Sequence, residues 1–277
     1  MLRDGIQVSF DNRVLVTLTN NEDSTELQHI INQLPKPIKT IIQDFTFPQD
    51  EGERIVQALL QGQLIAACDG SVKGDAATYG YLFTDKDGSF KAKGYGRVPT
   101  TGNNPSSQRA EFFGTAAIII IIKVLHERFK IQQQTSITTY LDNKGVEEYQ
   151  SAETIKKGLK AHLAKETDIN ICLKNIIKDI NVTFLWKWIK GHQDNNIEEE
   201  QLPMEAQMNI EADRMADLGY SLPTSSQQHL PGSKISVYIN GQYSSDTNMR
   251  RAITNKEHEQ PLRDYLQTKY NWDTNNP

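Results

Sequence analysis

What the chain has little of narrows it first. Its 277 residues include 2 cysteines, Cys68 and Cys172. Two distant thiols make no disulfide framework, and no Cys/His cluster has the spacing of a zinc site. Each reads as a small buried apolar residue in a reducing compartment. Net positive charge is missing as well: 30 Lys+Arg against 35 Asp+Glu leave −5, with a pI of about 5.7. That balance argues against a protein that grips nucleic acid through bulk positive charge, while leaving room for a local basic stripe. Long apolar runs are absent too. The most apolar stretch, "AAIIIIIKVL" (Ala116 to Leu125), is too short to span a bilayer and contains Lys123, so it reads as a buried core helix. The opening "MLRDGIQVSF" carries charge and no apolar signal core. The expectation is an intracellular protein with no membrane segment, repeats or low-complexity tracts.

What is present organises itself from Leu64 onward. "LIAACDGSV" is a strand candidate that carries a carboxylate, Asp69, followed by Gly70 and Ser71. "ATYGYLFTD" and "SFKAKGYGRV" follow as strands, separated by the turn signal "DKDG". Ser106 or Ser107 is placed to cap a long helix from about Gln108 to Phe129. "TSITTYLD" is a fourth strand, again ending in an Asp, Asp142. "VEEYQSAETIKKGLKAHLAKE" and "INICLKNIIKDI" read as helices, "NVTFLWKWI" as a fifth strand, and "EAQMNIEADRMADLG" as a last helix. Antiparallel strands first, then strands alternating with helices, predict a mixed α/β sheet. Residues 1–61 form an N-terminal flanking segment, with "RVLVTL" as a strand and "STELQHIINQL" as a helix capped by Ser24. Residues 62–220 form the main domain. Residues 221–277 form an extension, with a hairpin signal at Asn240–Gly241 and a terminal helix in "PLRDYLQTKYNW".

Four acids then stand on four elements: Asp69 on the first strand of the main domain, Glu111 in the first turn of the long helix, Asp142 after the fourth strand, and Asp213 on the last helix. Taken singly, each reads as a turn, cap or solvated residue. Brought together at one edge of an α/β sheet they would repel, unless a hard divalent cation neutralised them. All-oxygen ligands select Mg²⁺, with Mn²⁺ as a substitute. Two such ions roughly 4 Å apart clamp the attacking and leaving oxygens of a phosphodiester.

In order, "CDGS", "SSQRAEFFG", "YLDNKGV", "WIKGHQD" and "NIEADRMA" resemble the motifs of type 1 ribonuclease H, most nearly the ribonuclease H domains of retroelement reverse transcriptases. The likeness covers about residues 62 to 220. It implies a five-stranded mixed sheet flanked by helices, here with N- and C-terminal extensions. It further implies two-metal, Mg²⁺-dependent cleavage of the RNA strand of an RNA–DNA hybrid, with Asp69, Glu111, Asp142 and Asp213 as metal ligands. His192 matches a histidine on a loop near the last acid, where a group titrating near neutrality helps move protons or release product. Gln108 matches a position that contacts the hybrid's minor groove, where 2′-hydroxyls mark RNA. Asn209 lies one helical turn before Asp213, on the same face. Gly70 and Ser71 are expected to contact the strand being cut. A reverse transcriptase domain is the partner that the likeness suggests.

This chain departs from the pattern in the long acidic stretch "NNIEEEQLPMEAQM" between His192 and Asp213. The lysines of Lys156–Lys165 read equally as a solvated face or as a phosphate-contacting element. Trp186 and Trp188 alternate on their strand, so both face one side and read as core more than as a base-stacking platform. The competing readings are an inactive nucleic-acid- or polymerase-binding relic, which has no use for four mutually repelling acids, and a transposase or integrase, whose usual Asp, Asp, Glu order this chain lacks.

Overall fold

An apolar strand with a charge in its interior sits at the centre of the sheet. The computed structural model describes residues 6–10, 13–18, 26–42, 44–45, 50, 52–99, 105–152, 166–195, 197–226, 229–232, 238–239, 242–243, 261–265 and 267–269. In chain order, β1 (Ile6–Phe10) and β2 (Arg13–Leu18) form a separate antiparallel pair. They are followed by α1 (Glu26–Gln33), α2 (Lys36–Lys39), β3 (Asp44–Phe45) and α3 (Glu53–Leu60). The long strand β4 (Leu64–Lys73) leads to β5 (Ala76–Asp85), β6 (Ala92–Arg97) and the helix α4 (Ser107–Arg128). Then come β7 (Thr135–Leu141), α5 (Lys144–Ser151), α6 (Thr167–Lys178), β8 (Val182–Trp188) and α7 (Met204–Leu218). A short antiparallel pair, β9 (Tyr238–Ile239) and β10 (Gln242–Tyr243), spans the Asn240–Gly241 turn signal.

The sheet order is β3-β6-β5-β4-β7-β8. Strands β3, β6, β5 and β4 run antiparallel to their neighbours, and β4, β7 and β8 are parallel. The mixed α/β architecture is the one expected, but the sheet has six strands where five were expected. The sixth is β3, two residues too short to show any alternation. It covers the outer edge of β6, and an uncovered edge would invite pairing with other chains. Phe45 fixes it there, with its ring centroid 5.8 Å from that of Tyr81 and 6.1 Å from that of Phe83.

Helix α4 is capped as the sequence requires, the Arg109 N–H donating to Ser106 Oγ at 3.0 Å. Its five isoleucines, Ile118–Ile122, are all fully buried. A helix apolar on every side must be covered on every side: the sheet lies under α4, and α1 and α6 pack against it from above. Cap and burial together outweigh the modest helix propensity of β-branched residues. The large core cluster on this face also takes in Leu27, Ile38, Ile41, Ile55 and Leu59, all before β4.

The other face carries α7, over β5, β4 and β6, and the Gly219–Ser221 turn that follows it. Its apolar layer is thin: Ile65, Ala67, Leu82, Met208 and Ala212. Among the described residues, no helix is long and apolar enough to cross a membrane. The Ser24 cap, residues 153–165 with all of the Lys156–Lys165 stretch, and the end of the terminal helix lie outside the described residues. Residues 261–265 and 267–269 are helical.

Candidate active site

Pairing between β4 and β7 stops at Ala67 opposite Tyr140. This is where the sheet changes from antiparallel to parallel, and α/β sheets build sites at such points. Asp69 is not at a strand end but in mid-strand, paired across to Gly80 of β5. Two glycines let helices close on it. A Cβ at Gly70 would lie 2.6 Å from the Glu111 backbone N and 2.8 Å from the Ala110 carbonyl carbon, so the first turn of α4 lies directly on β4. A Cβ at Gly80 would run into the Ala212 and Ala216 backbone, so α7 lies equally close on the other face. On this side Gly70 admits the start of α4 and with it Glu111.

Carboxylate oxygens of Asp69, Glu111 and Asp142 come within 4.8 Å of one another. Asp69 is 5% exposed and Glu111 is 2% exposed, while Asp142 is half-buried. The Asp69 carboxylate accepts from the Gly70 N–H at 2.8 Å. Glu111 Oε2 is buried with no hydrogen-bond partner. Burial, then Asp142 and Asp213, push the Asp69 carboxyl up to about 7. Burial, then Asp69 and Asp142, push Glu111 well above the usual carboxylate range. Beneath them Cys68 is buried, and burial followed by the same carboxylates raises its thiol.

Asp213 stands outside the 4.8 Å group but faces it, half-buried on α7. Burial and then Asp217 raise its pKa; His192 and Lys73 oppose the rise. His192 is exposed and left-handed, at φ +50. Gln108 is half-buried at the start of α4. Its Nε2, like Asn143 Oδ1, lies 3.3 Å from where a Gly145 Cβ would stand. Ser71, also half-buried, accepts from the Tyr220 hydroxyl at 3.0 Å. Asn209 is 3% exposed and its Oδ1 has no partner, so it belongs to the packing under α7 and not to the open surface.

Three features were not legible beforehand. Trp188 is not core. It is the last residue of the edge strand, where the sheet has a neighbour on one side only, and it is 50% exposed. Trp186 does pack, half-buried, and stacks on Phe184 at 5.4 Å. Beside Ser71, Lys73 pairs with Asp217 at 2.6 Å. The third is a buried ion triad. Arg109 Nη1 lies 2.6 Å from Glu166 Oε2, and Nη2 lies 3.2 Å from Asp168 Oδ2. It ties the turn that carries Glu111 to the start of α6. Arg109 falls within the quoted motif, but nothing in the chain marks Glu166 and Asp168 as its partners.

The donor set fits a hard divalent cation: all oxygens, from three separate elements, with one buried oxygen left without a donor.

No protein-family model matches the chain, and no curated protein matches it in sequence. Solved structures to which it is similar are ribonuclease H domains. The N-terminal RNase H domain of a Mycobacterium tuberculosis protein, solved as a fusion with maltose binding protein, is 18% identical. The match covers 56% of this chain and 91% of that one, with a TM-score of 0.37. LC11-RNase H1 in complex with an RNA/DNA hybrid is 12% identical over 57% of this chain and 100% of that one, at 0.40. RNase H1 from Halobacterium salinarum is 15% identical over 57% and 98%, at 0.37.

Proposed function

We propose that the chain is a divalent-metal-dependent endonuclease that hydrolyses the RNA strand of RNA–DNA hybrids, leaving a 3′-hydroxyl and a 5′-phosphate. One observation carries the metal-dependent reading: Asp69, Glu111 and Asp142, from a strand, a helix and a strand end, converge within 4.8 Å, with two of the three buried. Such an arrangement is costly unless a cation is bound. The order of the five motifs carries the choice of hybrid as substrate.

Asp69, Glu111, Asp142 and Asp213 would hold two Mg²⁺, or Mn²⁺ in their place. When bound, such ions lower the pKa of water and stabilise the charge that develops on the attacking and leaving oxygens. The chain's own residues set the geometry. Asp69 is fixed by the strand and by the Gly70 N–H, and Glu111 by its place on α4 just past the Ser106-capped first turn and by the Arg109 triad. Asp142 and Asp213 lie on the open side, where substrate enters. Ser71 and Gln108 contact the two sides of the bound hybrid. His192, exposed beside Asp213, moves a proton at the leaving oxygen. The proposal includes neither a retroelement origin nor a reverse transcriptase partner, for which the described residues offer no observation. Location inside the cell follows from the substrate.

The test is cleavage of a labelled RNA–DNA hybrid, set beside single-stranded RNA and double-stranded DNA, with and without Mg²⁺, using the native chain and Asp69→Asn. Cleavage confined to the hybrid, dependent on Mg²⁺ and lost in Asp69→Asn, is expected. An intact hybrid, or a variant that cuts as well as the native chain, overturns the proposal and leaves the inactive binding relic.

A further inference from the structure

Trp188 is the residue whose exposure is hardest to explain by packing. A tryptophan that could bury its ring leaves half of it in solvent, at the end of the strand next to Asp142. Its one polar atom is already used, the indole N–H donating to the Asp142 carbonyl at 2.8 Å. What it offers outward is therefore a flat apolar face. That face is also held in place. The Ile189 N–H donates to the Leu141 carbonyl at 3.0 Å, and Gly191 packs against the Asp142 carboxylate, which a Cβ there would have to displace. The segment 188–191 is thus pinned along Asp142, and the ring is a fixed ledge beside the carboxylate cluster. Two exposed lysines stand close to these residues in the chain: Lys190, two positions after Trp188, and Lys144, two positions after Asp142 at the start of α5.

We propose that Trp188 is a nucleic-acid-binding residue. Its exposed face packs on a sugar of the strand lying along the Asp142 side of the site, with Lys190 and Lys144 at the neighbouring phosphates. In a duplex the bases stack on one another, so the faces open to a flat ring from outside are sugars. Aromatic contacts of this kind tolerate any sequence, and the lysines add salt-dependent affinity without reading bases. The inference rests on the hydrolase reading above and names a further contact for that site.

The test separates ring from N–H. Binding of a fluorescein-labelled RNA–DNA hybrid to the full chain is measured by anisotropy with Ca²⁺ in place of Mg²⁺, for the native chain, Trp188→Phe and Trp188→Leu. KM and kcat are measured in Mg²⁺. Phe keeps a ring and loses the N–H; Leu loses both. The expected result is a Kd and KM raised about tenfold in Leu, near-native values in Phe, and kcat unchanged in both. Native affinity in Leu, or equal weakening in Phe and Leu, overturns the proposal; the second outcome assigns the effect to the Asp142 bond. Should Leu fail to fold, intrinsic fluorescence decides. Hybrid quenches the native emission, and the quench is lost in Phe; a quench that persists in Phe overturns the proposal. A native chain that cuts hybrid while Leu keeps a native KM defeats only the ledge. A native chain that neither binds nor cuts hybrid defeats the function reading itself.

Discussion

The four carboxylates divide into an inner and an outer pair. Asp69 and Glu111 are buried, one in the interior of a strand and the other just past the capped first turn of a helix. Asp142 and Asp213 are half-buried, and Asp213 has Lys73 and His192 as opposing charges. The inner pair sits in a low-dielectric setting and is strongly perturbed; the outer pair is half-open to solvent, and Asp213 is partly balanced. A site built this way fixes ligand oxygens in advance, where the substrate does not reach, and leaves exchange to the side that is open. The cost is repulsion in the metal-free chain, as expected where function overrides local stability.

Replacing one residue of each pair tests the division most directly. Asp69→Asn removes an oxygen from the buried centre, and hybrid cleavage should fall by a factor on the order of 10³ or more, since a metal ligand set supplies several kcal/mol of transition-state stabilisation. The same variant should melt higher than the native chain without metal, because a buried repelling charge is gone. Asp213→Asn should lose less activity, with a metal-free melting point close to native. Equal losses and equal melting points in the two variants would erase the distinction. Cleavage rates at saturating Mg²⁺ and thermal melts in EDTA provide both measurements.

Next in size is the contact that brings the inner pair together. Gly70→Val places a side chain where the Glu111 backbone N already sits. Overpacking of this kind costs about 1–3 kcal/mol, and the shift must fall on the turn that carries Glu111. Activity should therefore drop far more than the melting temperature does. A variant that loses stability but cleaves normally once folded would show that the α4 contact does not set the Glu111 position.

The inner pair was the more legible half of the site. Asp69 lies in an apolar strand and is trailed by a glycine, and Glu111 lies just past a serine cap; each signal is local and each element formed as read. The outer half depended on close approaches that a chain does not announce. Nothing near Gly80 says that α7 will lie on it, and nothing near Trp188 says that the edge strand leaves its last ring uncovered. The ion triad joins Arg109 to residues 57 and 59 positions away. The sixth strand failed for the opposite reason: two residues carry no period, and only the open edge of β6 explains them. Local pattern marked out the elements that bury surface, while tight packing between distant elements stayed hidden.

A smaller and continuous effect follows from pH in the absence of metal. Asp69 titrates at about 7 when folded and near 3.9 when unfolded. Between those values the folded chain holds a proton that the unfolded chain has lost. Asp69's contribution to stability is therefore fullest below about pH 4 and declines as pH rises towards 7, by at most about 1.4 kcal/mol per pH unit for one proton. Urea melts in EDTA from pH 4.5 to 7.5 should show this decline, and Asp69→Asn should flatten it. Saturating Mg²⁺ should flatten it as well, by holding the ionised form. A native chain whose metal-free stability rises through this range would contradict the inner pair's burial as the source of its perturbation.

The smallest effect belongs to the outermost group, and it separates loop from imidazole. His192 is left-handed at φ +50, a conformation that suits glycine better than histidine. His192→Gly and His192→Ala both remove the ring, but only Gly relieves the backbone, so Gly should be the more stable by roughly 0.5–1 kcal/mol. If the imidazole acts on the reaction, both variants lose cleavage to the same extent. That loss should be about tenfold, below the 10²–10⁴ of a fully positioned general acid–base, because the ring is exposed. A loss in Ala that is restored in Gly would place the effect in the shape of the 190–193 turn beside Asp142. Equal losses with unequal stability would assign it to the ring, and would make His192 the outer pair's proton carrier independent of how that turn is held.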